Sequence, residues 1–229
     1  MNTSPDSLDP VEAYSRLAPV FSEIAGRRRA YLEAVERLII GEMGSVRSLL
    51  DIGSGDGSRA RRIAGAADLT LLEPSPAMGD GLRLRAEELS QVEGPFDAIT
   101  CLWNVLGHVF PASARVEVLR QCGRLMGTQG RLFIDLNHRY NVAHYGLLRT
   151  IPRLLKDLVH PSETNGDVVV RWNVCSTMGH VFTHREFVSM CEAVGLRIEK
   201  RFVVDYETGQ VRGLSCLGNL LYVAGLRPR

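Results

Sequence analysis

The 229 residues, 45% hydrophobic and 23% charged, suit one soluble domain large enough to bury a substantial core and leave no room for a second large domain. With 27 basic and 26 acidic residues the net charge is +1, so no global field holds a polyanion, and general nucleic-acid binding loses its simplest electrostatic support. No run approaches the ~18 apolar residues of a membrane span, the start of the chain lacks a signal-peptide pattern, and five cysteines without a CxxC pair argue against disulfide frameworks and zinc ribbons, so a cytoplasmic protein with buried free thiols is expected.

Residues 1–8 are polar and expected to fray. Asp9, Pro10 and Glu12 then combine an N-cap, a proline at the first helical position and a capping-box acid. The helix they open has Tyr14, Leu17, Ala18, Phe21 and Ile24 on its apolar side and should split at Pro19. A second helix carries Tyr31, Val35, Leu38 and Ile39 and ends near Gly41 or Gly44. Strands and helices alternate from there: 46–52 extended, 58–64 helical, 69–72 extended, a brief third strand at 82–86 and a clearer fourth at 96–101. An amphipathic helix over 114–126 leads through a turn at 127–130 into a fifth strand at 131–136. Residues 137–166 break the rhythm, with a helix over 144–159 interrupted at Pro152, and read as an inserted cap. After an extended run at 168–174, Thr183 with Glu186 forms a capping box for a helix to about Ala193, followed by strands at 196–204 and 219–224. The pattern is α/β, with a single, mostly parallel seven-stranded sheet.

The sequence Asp51-Ile52-Gly53-Ser54-Gly55-Asp56-Gly57 places three glycines at alternate positions at the carboxyl end of the first strand, where parallel α/β sheets bind ligands. A dinucleotide loop would need its third glycine at Ser58, so a nicotinamide or flavin site fits poorly. The spacing suits a ligand without a pyrophosphate, whose amino-acid end meets the loop backbone and the Asp51 carboxylate; S-adenosylmethionine has that form. Glu73, twenty residues after Gly53 at the next strand end, can accept from both hydroxyls of a ribose, and Met78 can cover an adenine face.

These residues resemble the class I S-adenosylmethionine-dependent methyltransferase superfamily, and the resemblance runs from about residue 11 to 224. It is carried by LLDIGSGDGSRARRIA, LTLLEPSPAM, FDAITCLWNVLGHV, LRQCGRLMGTQGRLFIDLN and FTHREFVSMCEAVGL, in the family's order. The resemblance implies a Rossmann-like three-layer sandwich with a helical lid at 9–44, a cofactor-binding half at 45–136, a substrate cap at 137–182 and a closing helix and strands at 183–229. It further implies cofactor contacts from Ser54, Asp56, Pro74, Ser75, Leu102 and Trp103 beside those above, and S-adenosylhomocysteine as product. The family often has an acid after its third strand for the adenine amino group. Arg85 and Ala86 stand there, which moves that contact to backbone or Glu87.

Methyl transfer from a sulfonium is an in-line displacement that needs alignment and exclusion of water more than a catalytic triad, so the acceptor's wall is the informative target. In the family pattern the fourth strand end faces the methyl group, here Leu102, Trp103, Asn104 and then His108. The Asn/Asp-Pro-Pro-Tyr/Phe signature of amino-group methylation on adenine and glutamine is absent, as is the Pro-Cys of cytosine methylation. Asn104 with His108, residues 135–141, and more faintly 204–210, are similar to the glycine N-methyltransferase branch. That likeness implies Asn104, His108, Arg139 and Tyr140 as acceptor-binding residues, with Asn104, His108 and the lid Tyr14 at the reacting groups. Arg27, Arg28 and Arg29 either meet an acidic acceptor or are solvated, and Trp103 either stacks on a planar acceptor or seals the core. A small-molecule acceptor, such as an amine or amino-acid-like metabolite, is the leading expectation, with no nucleic acid, membrane or metal; a homodimer stays open. Alternatives are a tRNA or rRNA methyltransferase, a nicotinamide enzyme, and a non-catalytic S-adenosylmethionine-binding protein.

Overall fold

Asp9 begins the first helix as its sequence suggests: it accepts from Val11 N at 2.9 Å, with Pro10 at the first helical position of α1 (Pro10–Leu17). Glu12 pairs with Arg16 one turn on, at 2.6 Å. The computed structural model describes residues 7–227. The fraying expected of residues 1–8 thus lies mostly outside the described residues, and Leu8 donates its N–H to Ser176 O at 2.9 Å. Pro19 splits the helix through a 3-10 turn (Ala18–Val20) into α2 (Phe21–Gly26), and α3 (Arg29–Met43) stops at Gly44, φ 68°.

The sheet follows: β1 (Ser48–Ile52), α4 (Ser58–Ala64), β2 (Asp68–Leu72), β3 (Phe96–Cys101), α5 (Ala112–Leu125) and β4 (Met126–Leu136). After α6 (Val142–Tyr145) and α7 (Leu147–Val159), β5 (Asp167–Arg171) and β6 (Ser176–His180) pair antiparallel as a separate two-stranded sheet. The chain then runs through α8 (His184–Ala193), β7 (Leu196–Val204), β8 (Val211–Arg212) and β9 (Asn219–Leu226). The main sheet has seven strands in the order β2-β1-β3-β4-β9-β7-β8. Five of them run one way and β9 and β8 oppose, which makes it mostly parallel.

Alternate residues of β1 feed two apolar layers. Leu49 packs with Tyr31, Val35 and Ile39 of α3 and Ile63 of α4; Leu50 and Ile52 pack with Val118 and Leu119 of α5 and Phe187 of α8. Each fully buried Leu or Ile contributes about 1.5–3 kcal/mol, enough for both helical layers to hold the sheet rigidly under its carboxyl edge. No helix among the described residues is long and apolar enough to cross a membrane.

Four expectations need correction. Residues 82–86 form no strand: Leu82 makes one bridge to Leu72, and a 3-10 helix (Ala86–Gln91) follows. Residues 127–130 are not a turn but the irregular start of β4, where the register slips between Phe96 and Ala98. The break in the 144–159 helix falls at Gly146 (φ 75°), and Pro152 sits inside α7. The carbonyl it leaves unpaired is that of Leu148, in the first turn, where Leu148 is 92% exposed. Finally, the extended run expected at 168–174 stops at Arg171, and residues 172–175 turn the chain back into β6 as a hairpin.

Candidate active site

β1 delivers the chain into a loop in which Gly53, Gly55 and Gly57 all have positive φ, 71°, 57° and 70°. Gly53 N donates to Leu72 O at 2.8 Å and Ser54 N to the same oxygen at 3.0 Å, which ties the loop to the end of β2. A Cβ at Gly53 would stand 2.5 Å from Val105 Cγ2, so this glycine makes room for the segment after β3 as much as for a ligand. Glu73, at the end of β2, is buried; its Oε2 accepts from Gly55 N at 2.8 Å and its Oε1 from Ser75 N at 2.9 Å. A carboxylate has about four lone-pair sites, so two remain for outside donors such as adjacent hydroxyls. Burial pushes the Glu73 carboxyl above its ordinary pKa, against the pull of those two N–H groups. Under the loop, Asp51 accepts from Thr100 Oγ1, and burial pushes its carboxyl up to about 6.

The loop opens into a cleft of about 120 Å³ lined by Gly53, Gly55, Glu73, Pro74, Met78, Glu87, Leu102 and Trp103. Beside it is a second chamber of about 520 Å³, to which Asn104, Asn137 and His144 contribute, together with residues of α2 and of β5 and the loop after it. Tyr14, Phe21, Trp103 and His108 line both. At that junction His108 Nδ1 is 2.9 Å from Met178 O. A carbonyl only accepts, so Nδ1 carries the proton and Nε2 is the free base, which accepts from Tyr14 OH at 3.1 Å. Burial pushes the His108 imidazole below its ordinary pKa and the Tyr14 phenol above its own. The junction therefore presents a neutral imidazole beside a hydroxyl.

The wall at the end of β3 is held under strain. Trp103 and Asn104 are consecutive non-glycine residues at φ 55° and 64°, each costing about 1–3 kcal/mol. Asp135, buried at the end of β4, over-determines them. Its Oδ2 accepts from Trp103 N at 3.0 Å, its carbonyl from Asn104 N at 2.9 Å, and its Oδ1 from Tyr31 OH. Trp103 Nε1 also donates to Tyr206 OH at 3.2 Å.

Ten of the residues singled out in the sequence line the cleft: Tyr14, Gly53, Gly55, Glu73, Pro74, Met78, Glu87, Leu102, Trp103 and His108. Asp51, Ser54 and Ser75 are buried behind it, and Asp56 turns away to accept from Ser58 N at 2.9 Å at the start of α4, with Gly57 beside it. Asn104 lines the chamber, yet its side chain is engaged: Nδ2 donates to His180 O at 3.1 Å and Oδ1 accepts from Asn137 N at 3.0 Å. Arg139 and Tyr140, expected from the sequence at the acceptor, stand apart from both cavities. Arg139 is buried and donates to Asp157 at 2.9 Å, Glu186 at 2.7 Å and Val181 O at 3.1 Å, and Tyr140 OH donates to the same Asp157 carboxylate. Neither reaches either cavity. Residues the sequence reading missed are Asp135 and Tyr31 as the clamp, and Arg171, Trp172 and Tyr206 in the chamber. Their partners lie from 32 positions away, for Asp135 with Trp103, to well over a hundred, for Trp172 with Tyr14, beyond any local spacing, although Arg171-Trp172 beside a Val-rich strand was a visible oddity.

A family model described as a methyltransferase domain matches residues 24–201. Among solved structures, the chain is similar to the CcbJ methyltransferase of Streptomyces caelestis, with 14% identity, a TM-score of 0.66, and 93% of this chain and 97% of that one covered. It is similar to an S-adenosylmethionine-dependent methyltransferase of Clostridium acetobutylicum at 11% identity and a TM-score of 0.64, covering 94% and 100%. A third likeness is to the 1,6-didemethyltoxoflavin-N1-methyltransferase of Burkholderia thailandensis, solved with its acceptor and S-adenosylhomocysteine, at 15% identity, a TM-score of 0.63 and 98% and 93% coverage. At these identities the likenesses establish the fold. No curated protein matches the sequence.

Proposed function

From the premise that the chain belongs to the methyltransferase-domain family, we propose that it transfers a methyl group to a small molecule held in the chamber beside its cofactor cleft. S-adenosylmethionine is the cofactor, and when bound it supplies an electrophilic methyl carbon on a sulfonium. The residues present fit it. Glu73 keeps two acceptor sites for ribose hydroxyls, Met78 and Leu102 offer apolar faces for adenine, and Asp51 lies behind the loop for an ammonium. Ser54 Oγ and Arg59 Nε and Nη2 are buried with no hydrogen-bond partner among the described residues.

The observation that carries the proposal is the sharing of Tyr14, Phe21, Trp103 and His108 by the two cavities. In this reading Phe21 and Tyr14 close over the junction and exclude water, Trp103 fixes the acceptor's approach, and the acceptor's proton passes to Tyr14 OH as the Tyr14 proton passes to His108 Nε2. Enclosure by α1, α2 and the hairpin favours a metabolite over a macromolecule, and the Burkholderia relative acts on a small molecule by its name. Arg139 is spent on Asp157 and Glu186, so an amino-acid-like acceptor loses the clamp assigned to it from sequence. The test supplies S-adenosylmethionine with a labelled methyl group together with a cell extract separated into metabolite, RNA and protein fractions. Label is expected in the metabolite fraction; label in RNA or protein instead contradicts the proposal.

A further inference from the structure

The chamber's lining has a definite chemistry. Both of the chain's tryptophans, Trp103 and Trp172, are in it, joined by Tyr14, Phe21 and Tyr206. Trp172 meets Tyr14 edge-on at 5.7 Å and Trp103 meets Phe21 at 5.6 Å, so rings from the hairpin and from the β3 end converge on the shared junction. Rings in such a wall favour a flat, polarizable guest through offset or edge contacts.

Its charge is one-sided. Arg27, Arg28 and Arg171 line the chamber against a single carboxylate, Glu23. Glu23 answers Arg27 at 2.7 Å and Glu207 answers Arg28, while Arg171, the last residue of β5, has no side-chain partner among the described residues. An ammonium-bearing guest would meet this excess positive charge, whereas a carboxylate or phosphate would complete it, most directly through the planar fork of Arg171.

We propose that the acceptor is a planar aromatic anion, its ring between Trp103 and Trp172 and its anionic group on Arg171. This rests on the methyl-transfer reading of the site. The experiment is calorimetry on protein saturated with S-adenosylhomocysteine, using hydroxynaphthoate, neutral naphthol and non-aromatic cyclohexanecarboxylate as probes. Hydroxynaphthoate is expected to bind at least about tenfold more tightly than either of the others, and Arg171→Gln is expected to erase its advantage over naphthol. A Trp172→Ala variant should weaken both aromatic probes and leave S-adenosylhomocysteine affinity unchanged. Equal binding of naphthol and hydroxynaphthoate, tight binding of cyclohexanecarboxylate, binding of none of the three, or an Arg171→Gln variant that keeps the discrimination overturns the proposal. Loss of this pattern with S-adenosylhomocysteine still bound leaves the methyl-transfer reading standing; failure to bind S-adenosylhomocysteine overturns that reading too.

Discussion

Two buried acids set the residue-scale behaviour of the site, and they act in opposite ways. Asp51, with its carboxyl pushed up to about 6, is half protonated just below neutrality. Binding a cationic amino group requires the ionised form, so S-adenosylhomocysteine affinity should rise as the pH climbs from 5 to 7, approaching tenfold per unit below the pKa. Asp51→Asn should flatten that rise in calorimetry, and a slope that survives the substitution would contradict the role. The sign for folding is the reverse. Because the folded-state value is raised, the contribution of Asp51 to stability is complete below its unfolded range and is lost as the pH passes about 6. Asp135 has a structural task. Asp135→Ala would orphan Trp103 N and Tyr31 OH in the interior and release the strained Trp103–Asn104 turn, an expected loss of about 2–4 kcal/mol in denaturant unfolding. His108, kept neutral by burial, should titrate in NMR below the ordinary histidine range; a value at or above that range would remove it as the free base at the junction.

At the scale of elements, Arg139 fastens three pieces together: α7 through Asp157, α8 through Glu186, and the segment after β6 through Val181 O. His180 adds to the fastening, with Asp167 at 2.6 Å and Glu186 at 2.7 Å on its two ring nitrogens. Breaking a buried pair by removing one partner typically costs about 3–5 kcal/mol. Arg139→Ala should therefore lower stability by that order in thermal or denaturant unfolding and leave S-adenosylhomocysteine affinity unchanged; a variant as stable as the wild type would contradict the fastening role. The sequence likeness that placed Arg139 on the acceptor could not see this. The carboxylates that consume it stand 18 and 47 positions further along the chain, on elements whose packing no local pattern encodes. Local signals were legible where local physics decided the outcome: the Thr183–Glu186 capping box, the Pro19 split and the 58–64 helix. They failed where tertiary context decided, at the β5–β6 hairpin and at Pro152. α1 and α2 line the cleft with only Tyr14, Pro10, Val11 and Phe21, so S-adenosylhomocysteine should slow hydrogen exchange of amides over 10–26 while leaving the buried amides of β9 unchanged.

For the whole molecule, a parallel sheet between two helical layers leaves one edge, the carboxyl ends of β1, β2, β3 and β4, where loops can carry chemistry without disturbing the core. The glycine loop, Glu73, Trp103 and Asp135 all stand on that edge. This is why the cofactor half of the site was readable in the sequence: each of its residues follows its own strand by a few positions. The acceptor half was readable only in part, because its walls come from the first helices, the β3 end and a hairpin that meet only in the folded chain. The core claim is a nucleoside held by Glu73 against the loop at Gly53. Calorimetric titration of S-adenosylhomocysteine into the wild type and a folded Glu73→Ala variant tests it most directly. One site on the wild type, at least about tenfold weaker binding in the variant, and no heat with NAD are expected. No heat with S-adenosylhomocysteine, or binding of NAD in its place, would contradict it.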